Sequence, residues 1–360
     1  MSVSKLCEEL VLYGCEIEVF TTTANGNNEL PVETGKPVLV DGVNVTYFKR
    51  LTKDHTHYSP DLLRNLRERV RQFDAVHVHA WWNLVSVLAC RIAISNQVPV
   101  IISPRGTLSR YSFANKNSLI KRLIHELLGK KLLNKSAIHV TSNREKAAIV
   151  SLVGPGRLFN IPNFIALPAA MPKGIYPASE SLKLIFFSRI EQKKGLEILL
   201  HALQKIPIDY TLTIAGDGEA NYIANLKSLA VQLGIAKKLE WIGFQGANKF
   251  DVLQQHDVMI LPSYDENFGN VVIESLSVGT AVLISENVGL ADYVQENKLG
   301  WVVKNDTGSF AKIIEKLPAE RVVISNIRQQ APAIIRKDFQ EENLCKQYLQ
   351  MYQQIIHGNL

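Results

Sequence analysis

The chain has 360 residues, 46% of them hydrophobic and 21% charged, with a net charge of +6 and a pI near 9.0. That length exceeds one ordinary domain and suits two of roughly 150–200 residues. The composition excludes wholesale disorder, and the charge points to an anionic partner, for which nucleic acid, anionic lipid and nucleotide sugar all qualify. Cys7, Cys15, Cys90 and Cys345 are scattered without zinc-type spacing, which fits structural thiols in a reducing compartment. No stretch reaches the ~18 apolar residues of a membrane span, and no basic-then-apolar leader pattern stands at the N-terminus. A cytoplasmic protein with at most peripheral contact on the inner face of a membrane is expected.

In chain order, residues 2–13 read as an amphipathic helix with Leu6, Leu10 and Tyr13 on one side and Gly14 as its cap. Strands follow at 16–22 and 43–48, a charged helix at 60–73, a strand at 75–80, a helix at 84–95 and a strand at 99–103. Next come a basic helix at 117–134, a strand at 137–141, a helix from Arg144 and a short strand near Phe159. Prolines and small residues over 163–177 read as a linker. The alternation restarts with strands at 183–187, 210–215, 239–243, 258–261, 281–285 and 301–303, and ends in helices from Ser325.

Strands separated by helices argue a parallel, doubly wound sheet in each half. The expected architecture is α/β, with two Rossmann-like domains facing across a cleft. Their expected bounds are 1–167 and 173–338, followed by a C-terminal helix at 339–360. A doubly wound domain opens on a strand and a glycine turn, whereas this sequence opens in the helix that should follow them. One strand and its loop, about 15–20 residues, are therefore expected upstream, with a shortened chain bearing two unpaired strand edges as the alternative.

The stretch 261–282, LPSYDENFGNVVIESLSVGTAV, carries the densest chemistry. A strand feeds a helix through Gly269-Asn270, which leaves unpaired backbone N–H groups and a partial positive charge pointing outward, the usual seat of an anion. Glu266 before the helix and Glu274 inside it suit hydroxyl groups. A sugar nucleotide has both features, a pyrophosphate for the helix end and hydroxyls for the carboxylates. Arg189 and Lys194 leave one strand end, a fork and a point charge fit for a pyrophosphate whose charge grows as a glycosidic bond breaks. Gly216 and Gly218 allow close backbone approach at the next strand end, but without G-x-x-G they make no dinucleotide fingerprint.

Pro262-Ser263 before Glu266, Phe268-Gly269 between the two glutamates and the Gly279-Thr280-Ala281 step after them resemble the signature of retaining GT-B glycosyltransferases of family four. Arg189-x4-Lys194, VTSNREKA at 140–147 and Ile161-Pro162-Asn163 resemble further landmarks of that family. The resemblance implies catalytic roles for Arg189, Lys194 and Glu266. It places the ribose on Glu274, the nucleotide beside Gly216 and Gly218, the base at the backbone of Gly243 and Phe244, and phosphate or sugar on the amides of Phe268, Gly269, Asn270 and Val271. It also implies that the departing phosphate assists the acceptor hydroxyl and that the last helix crosses back to the first domain.

In the first half, His77 and His79 share one face of a strand and stand before Trp81, Trp82 and Asn83, an aromatic and polar cluster suited to a sugar. Arg105, in Pro-Arg-Gly, stands where many family members have a histidine, a variant associated with polysaccharide assembly. His79 and Arg105 are the expected acceptor- or sugar-contacting residues. The segment 116–135 alternates Lys116, Lys121, Arg122, Lys130, Lys131 and Lys135 with leucines, so it reads either as a helix on an anionic leaflet or as a solvated domain helix.

The expected function is transfer of a hexose from a UDP- or GDP-linked donor to a glycan or lipid-linked acceptor in envelope polysaccharide assembly, without cofactor or metal, since the sequence has no Asp-x-Asp. The alternatives are a non-catalytic nucleotide-sugar-binding remnant and a sugar-nucleotide epimerase. Nucleic-acid binding is not expected, because the basic residues lie in helices without interleaved aromatics.

Overall fold

The computed structural model describes residues 2–26, 28–52, 54, 56–109, 128–150, 157–168 and 181–358. Residues 117–127 of the expected basic helix and 169–177 of the expected linker lie outside the described residues. The chain divides into two compact units, unit 1 comprising Met1–Phe164 with Glu341–Leu360 and unit 2 comprising Ile165–Gln340.

Unit 1 contains strands β1 (Glu18–Thr22), β2 (Ala24–Asn25), β3 (Asn28–Glu29), β4 (Pro37–Val40), β5 (Val43–Phe48), β6 (Val76–His79), β7 (Val100–Ser103), β8 (Ala137–Val140) and β9 (Leu158–Asn160). Two parallel arrays form from them, β1-β5 with β4 antiparallel on its edge, and β6-β7-β8-β9. Among the described residues, β1 pairs only with β5 and β6 only with β7. β7 and β8 are buried at every position and apolar apart from Ser103 and His139, as strands covered on both faces mostly are. Helices Pro60–Arg69 and Leu84–Ser95 cover one face around Leu66, Val70, Cys90 and Ile102. Helices Ser2–Leu12 and Glu341–Ile356 cover the other. The last helix buries Leu344, Tyr348, Met351 and Ile355, a stripe at helical spacing.

β4 is a strand the sequence reading omits. It is half of a hairpin whose turn, Asp41-Gly42, has φ of 48° and 82°, the left-handed pair that Asp-Gly favours. The helix expected over 60–73 ends at Arg69 and tightens into a 3₁₀ turn, Val70–Gln72.

Unit 2 holds one six-stranded parallel sheet of β10 (Leu182–Phe187), β11 (Tyr210–Ala215), β12 (Leu239–Gly243), β13 (Val258–Leu261), β14 (Ala281–Ser285) and β15 (Gly300–Val303), in the order β12-β11-β10-β13-β14-β15. This is the doubly wound order, in which the winding direction reverses between the first and fourth strands. β13 and β14 are buried throughout. Helices such as Leu196–Gln204, Asn270–Ser277 and Arg321–Asp338 close the two faces. Among the described residues no helix is long and apolar enough to cross a membrane.

Candidate functional site

In unit 2 the reversal falls between β10 and β13, and parallel neighbours bring the loops after both strands side by side. A crevice at the C-terminal ends of the strands on either side of a reversal is where open α/β sheets take ligands. Two consecutive ion pairs stitch these loops together. Lys193 Nζ lies 3.0 Å from Asp265, and the ammonium of Lys194, only 8% exposed as a residue, pairs with the carboxylate of Glu266. The Tyr264 N–H donates to the Lys193 carbonyl at 2.9 Å. Gly195 follows at φ 67°, so close that an added Cβ would stand 2.1 Å from the Pro262 carbonyl oxygen. Only glycine lets the β10 loop approach the β13 loop this way.

Glu266 is pinned from behind. Its N–H donates to the Asn287 carbonyl at 3.0 Å, and its own carbonyl accepts from the Gly289 N–H at 2.8 Å. Gly269, at φ 92°, turns the chain into the helix Asn270–Ser277, and a Cβ there would sit 3.5 Å from Glu266 Cγ. Asn270 and Val271 open that helix, where the first N–H groups have no intrahelical acceptor. The Phe268 side chain is buried against Phe339 at 6.3 Å, so only its backbone faces outward chemistry. Glu274 lies further along the helix, its carboxylate accepting from Lys249 Nζ at 2.7 Å.

Glycines open the other flank. A Cβ on Gly216 would stand 1.8 Å from the Ser188 carbonyl oxygen and one on Gly218 2.0 Å from that of Ile190, so the ends of β10 and β11 close up without side chains between them. Gly243 ends β12 at φ 69° and Phe244 after it is 68% exposed, an aromatic face in solvent at a strand end. Arg189 differs from its partner in the motif. Its side chain is 77% exposed and pairs with Glu191 at 3.1 Å. The structure thus brings Lys194, Glu266 and the start of the helix together, while Arg189 stands at the rim.

In unit 1 the ends of β6 to β9 gather a second polar cluster. His77 and His79 stack at 4.2 Å, as their shared strand face requires. His77 is not available to a ligand, because both ring nitrogens are engaged. Following the protons outward from the Ile161 carbonyl fixes every donor along the chain. His139 Nε2–H donates to that carbonyl (2.9 Å), so its Nδ1 accepts from the Ser103 hydroxyl (2.7 Å). Ser103 Oγ then accepts from His77 Nε2–H (2.7 Å), and His77 Nδ1 from the Tyr352 hydroxyl (2.7 Å). Tyr348, one turn earlier in the last helix, donates to the Pro162 carbonyl at 3.2 Å and stands 3.1 Å from His139 Nε2. Both rings, His77 and His139, are neutral in this arrangement. Burial drives His77 and His79 well below the usual histidine range and His139 down to about 3.

Trp81 lies wholly in the core, which removes it from the expected sugar platform. Trp82 donates to the Thr107 carbonyl at 2.6 Å. Arg105 adopts φ 52°, an uncommon conformation for its residue type, and donates from Nε to His79 Nδ1 at 3.4 Å and from Nη1 to Asn163 Oδ1. The carboxylate of Glu145 holds this loop, accepting from the N–H groups of Gly106 (2.8 Å) and Thr141 (3.0 Å). Sequence reasoning missed Ser103, His139, Glu145 and the two tyrosines as members of the cluster. The available signals were a polar residue inside the otherwise apolar β8 and Ser142-x-x-Glu145 at a helix start, where the Ser142 hydroxyl accepts from the Glu145 N–H at 3.2 Å.

Residues 1–167 match the family described as Glycosyltransferase Family 4, and residues 173–333 match Glycosyl transferases group 1. The two matches together span most of the chain, one glycosyltransferase family model on each half. The chain is 27% identical over 210 residues to the lipopolysaccharide core biosynthesis glycosyltransferase LpsE of Rhizobium meliloti, a match covering 58% of each chain and so spanning less than two thirds of that relative's length. It superposes on sucrose-phosphate synthase from Thermosynechococcus elongatus with a TM-score of 0.78 at 18% identity, covering 99% of this chain and 93% of the other. On HepE from Anabaena in complex with UDP and glucose the TM-score is 0.74 at 17% identity, covering 97% and 95%. The expected fold is therefore correct, with two Rossmann-like units of the GT-B type.

Proposed function

We propose that the protein is a metal-independent retaining hexosyltransferase that takes its sugar from a UDP- or GDP-linked donor held by unit 2. The observation that carries this reading is the Lys194–Glu266 pair at the reversal point of the sheet, beside the start of the helix Asn270–Ser277. Lys194 and the first N–H groups of that helix would hold the pyrophosphate, and an arriving phosphate would compete with Glu266 for the ammonium and free its carboxylate for sugar hydroxyls. Glu274 would take the ribose hydroxyls. Phe244 offers a stacking face for the base, beside the backbone of Gly243, Gly216 and Gly218. Arg189, at the rim, would swing from Glu191 to the leaving phosphate.

In the transfer, the bond from the sugar C1 to the donor phosphate oxygen breaks and a bond from C1 to the acceptor oxygen forms on the same face. The acceptor hydroxyl's proton passes to the departing phosphate. Build-up of charge on that phosphate is what Lys194 and the helix start stabilise. A glycan or lipid-linked acceptor in envelope polysaccharide assembly, met at the inner face of the membrane, is supported by the name of the Rhizobium relative and by the basic residues of 116–135. The assigned domain roles follow, with the donor on 173–338 and the acceptor on 1–167, completed by 339–360.

Thermal melts of the chain with UDP, GDP or ADP test the donor site. A ligand at 100 times its Kd adds about 2.7 kcal/mol, or a rise of roughly 5–10 °C for a unit of this size. One nucleotide should raise Tm selectively, and Glu274→Gln should cut that rise. A Tm unmoved by every nucleotide would remove the donor assignment.

A further inference from the structure

His79 ends β6, a half-buried residue whose ring stacks on that of His77. The Nε–H of a guanidinium can only donate, so His79 Nδ1, 3.4 Å from Arg105 Nε, must accept. A neutral ring that accepts at Nδ1 carries its proton on Nε2, and Nε2 has no hydrogen-bond partner among the described residues. Arg105 reaches Nδ1 only because its backbone turns to φ 52° and because Asn163 and Glu145 hold its other end and the next residue, Gly106. Uncommon backbone conformations held in place by their surroundings cluster at functional sites.

We propose that Arg105 is a positioning residue that fixes His79 as the neutral Nε2–H tautomer, and that His79 donates this hydrogen bond to a hydroxyl or phosphate oxygen of the substrate. The proposal rests on the glycosyltransferase reading and refines it, since Arg105 then acts through His79 and does not itself touch the sugar. The groups facing His79 are His77 from its own strand, Arg105 from the loop after β7 and His139 from β8. Arg105 in turn faces Glu145, Tyr348, Tyr352 and Cys7. Burial and the Arg105 charge both oppose protonation of His79, in keeping with the fixed neutral tautomer.

The test uses the full chain labelled with ¹⁵N-histidine, with His79 signals assigned by their loss in His79→Gln. Long-range ¹H–¹⁵N spectra of the wild type should show Nε2–H on His79 and no ionisation near the ordinary histidine value. Arg105→Met should raise the His79 pKa by about one unit or more and mix the tautomers. In transfer assays His79→Leu should lower kcat/KM about tenfold or more. His79→Gln, which keeps a donor near the Nε2 position, should restore most of it and make the enzyme insensitive to Arg105→Met. An Nδ1–H tautomer, or ionisation near the ordinary histidine value in the wild type, overturns the proposal even if the Arg105 variant fails to fold. Equal losses in His79→Leu and His79→Gln overturn the substrate contact. Because the spectra need no substrate, a correct tautomer in a chain that transfers no sugar would fault the transferase reading and leave the Arg105–His79 pairing standing.

Discussion

Replacing Lys194 with alanine should lower kcat by about 10²–10³-fold, the loss typical when one preorganised group aimed at developing charge is removed. The ammonium is nearly buried and is set by geometry that does not depend on substrate, namely the ion pair with Glu266, the neighbouring Lys193–Asp265 pair and the close approach of Gly195 to Pro262. Fold stability should change far less, because Glu266 keeps partial solvent access and its backbone stays bonded to Asn287 and Gly289. Arg189→Ala should cost less than Lys194→Ala, since the Arg189 side chain already stands in solvent against Glu191. Steady-state rates of the two variants with circular dichroism of each check the ordering. A Lys194 variant that turns over at the wild-type rate would remove this pair from the chemistry.

The second large effect is on the pH dependence of stability. His77, His79 and His139 are neutral in the fold, with pKa values pushed below 6.5, while in the unfolded chain each takes up a proton near 6.5. Below that pH the unfolded state binds more protons than the folded one, so stability is full above pH 6.5 and falls as pH falls, down to about 3 for His139. Three such groups give a slope of up to about 4 kcal/mol per pH unit. Urea midpoints measured from pH 7.5 to 4.5 should fall steeply, and His139→Gln should reduce the slope by about a third. A flat profile would mean that these rings are charged or hydrated in the fold.

The sheet of unit 2 was legible because its strands are short apolar runs bounded by glycine or charge. Strands β11 to β14 coincide with the runs read from sequence. The reversal of strand order was not written in any one stretch, yet it is what makes Lys194 and Glu266 neighbours across 72 positions of chain. Likewise Glu266 and Glu274 could be read as a pair, but not the cations each meets, Lys194 and Lys249. β4 escaped because Pro37 opens it and its residues face solvent on an edge, although Asp41-Gly42 carried the hairpin signal. The unit 1 cluster was the least legible part. His77 and His79 follow from alternation along one strand, whereas Ser103, His139, Tyr348 and Tyr352 come from three other elements, and the left-handed turn at Arg105 has no mark in its residue type. Trp81 illustrates the converse, a residue that looks like a sugar platform in sequence and is core in the fold.

The most direct test of the account is to incubate the chain with UDP-glucose or GDP-mannose and a glycolipid extract of envelope membranes, and to read the anomeric signals of the product by NMR. The account expects release of nucleoside diphosphate, a new glycosidic bond with the anomeric configuration of the donor, and loss of both in Lys194→Ala. A product of inverted configuration would contradict the retaining chemistry. Epimerised sugar nucleotide formed without acceptor, or no release from either donor by a chain whose melt responds to the nucleotide, would contradict the transferase assignment itself.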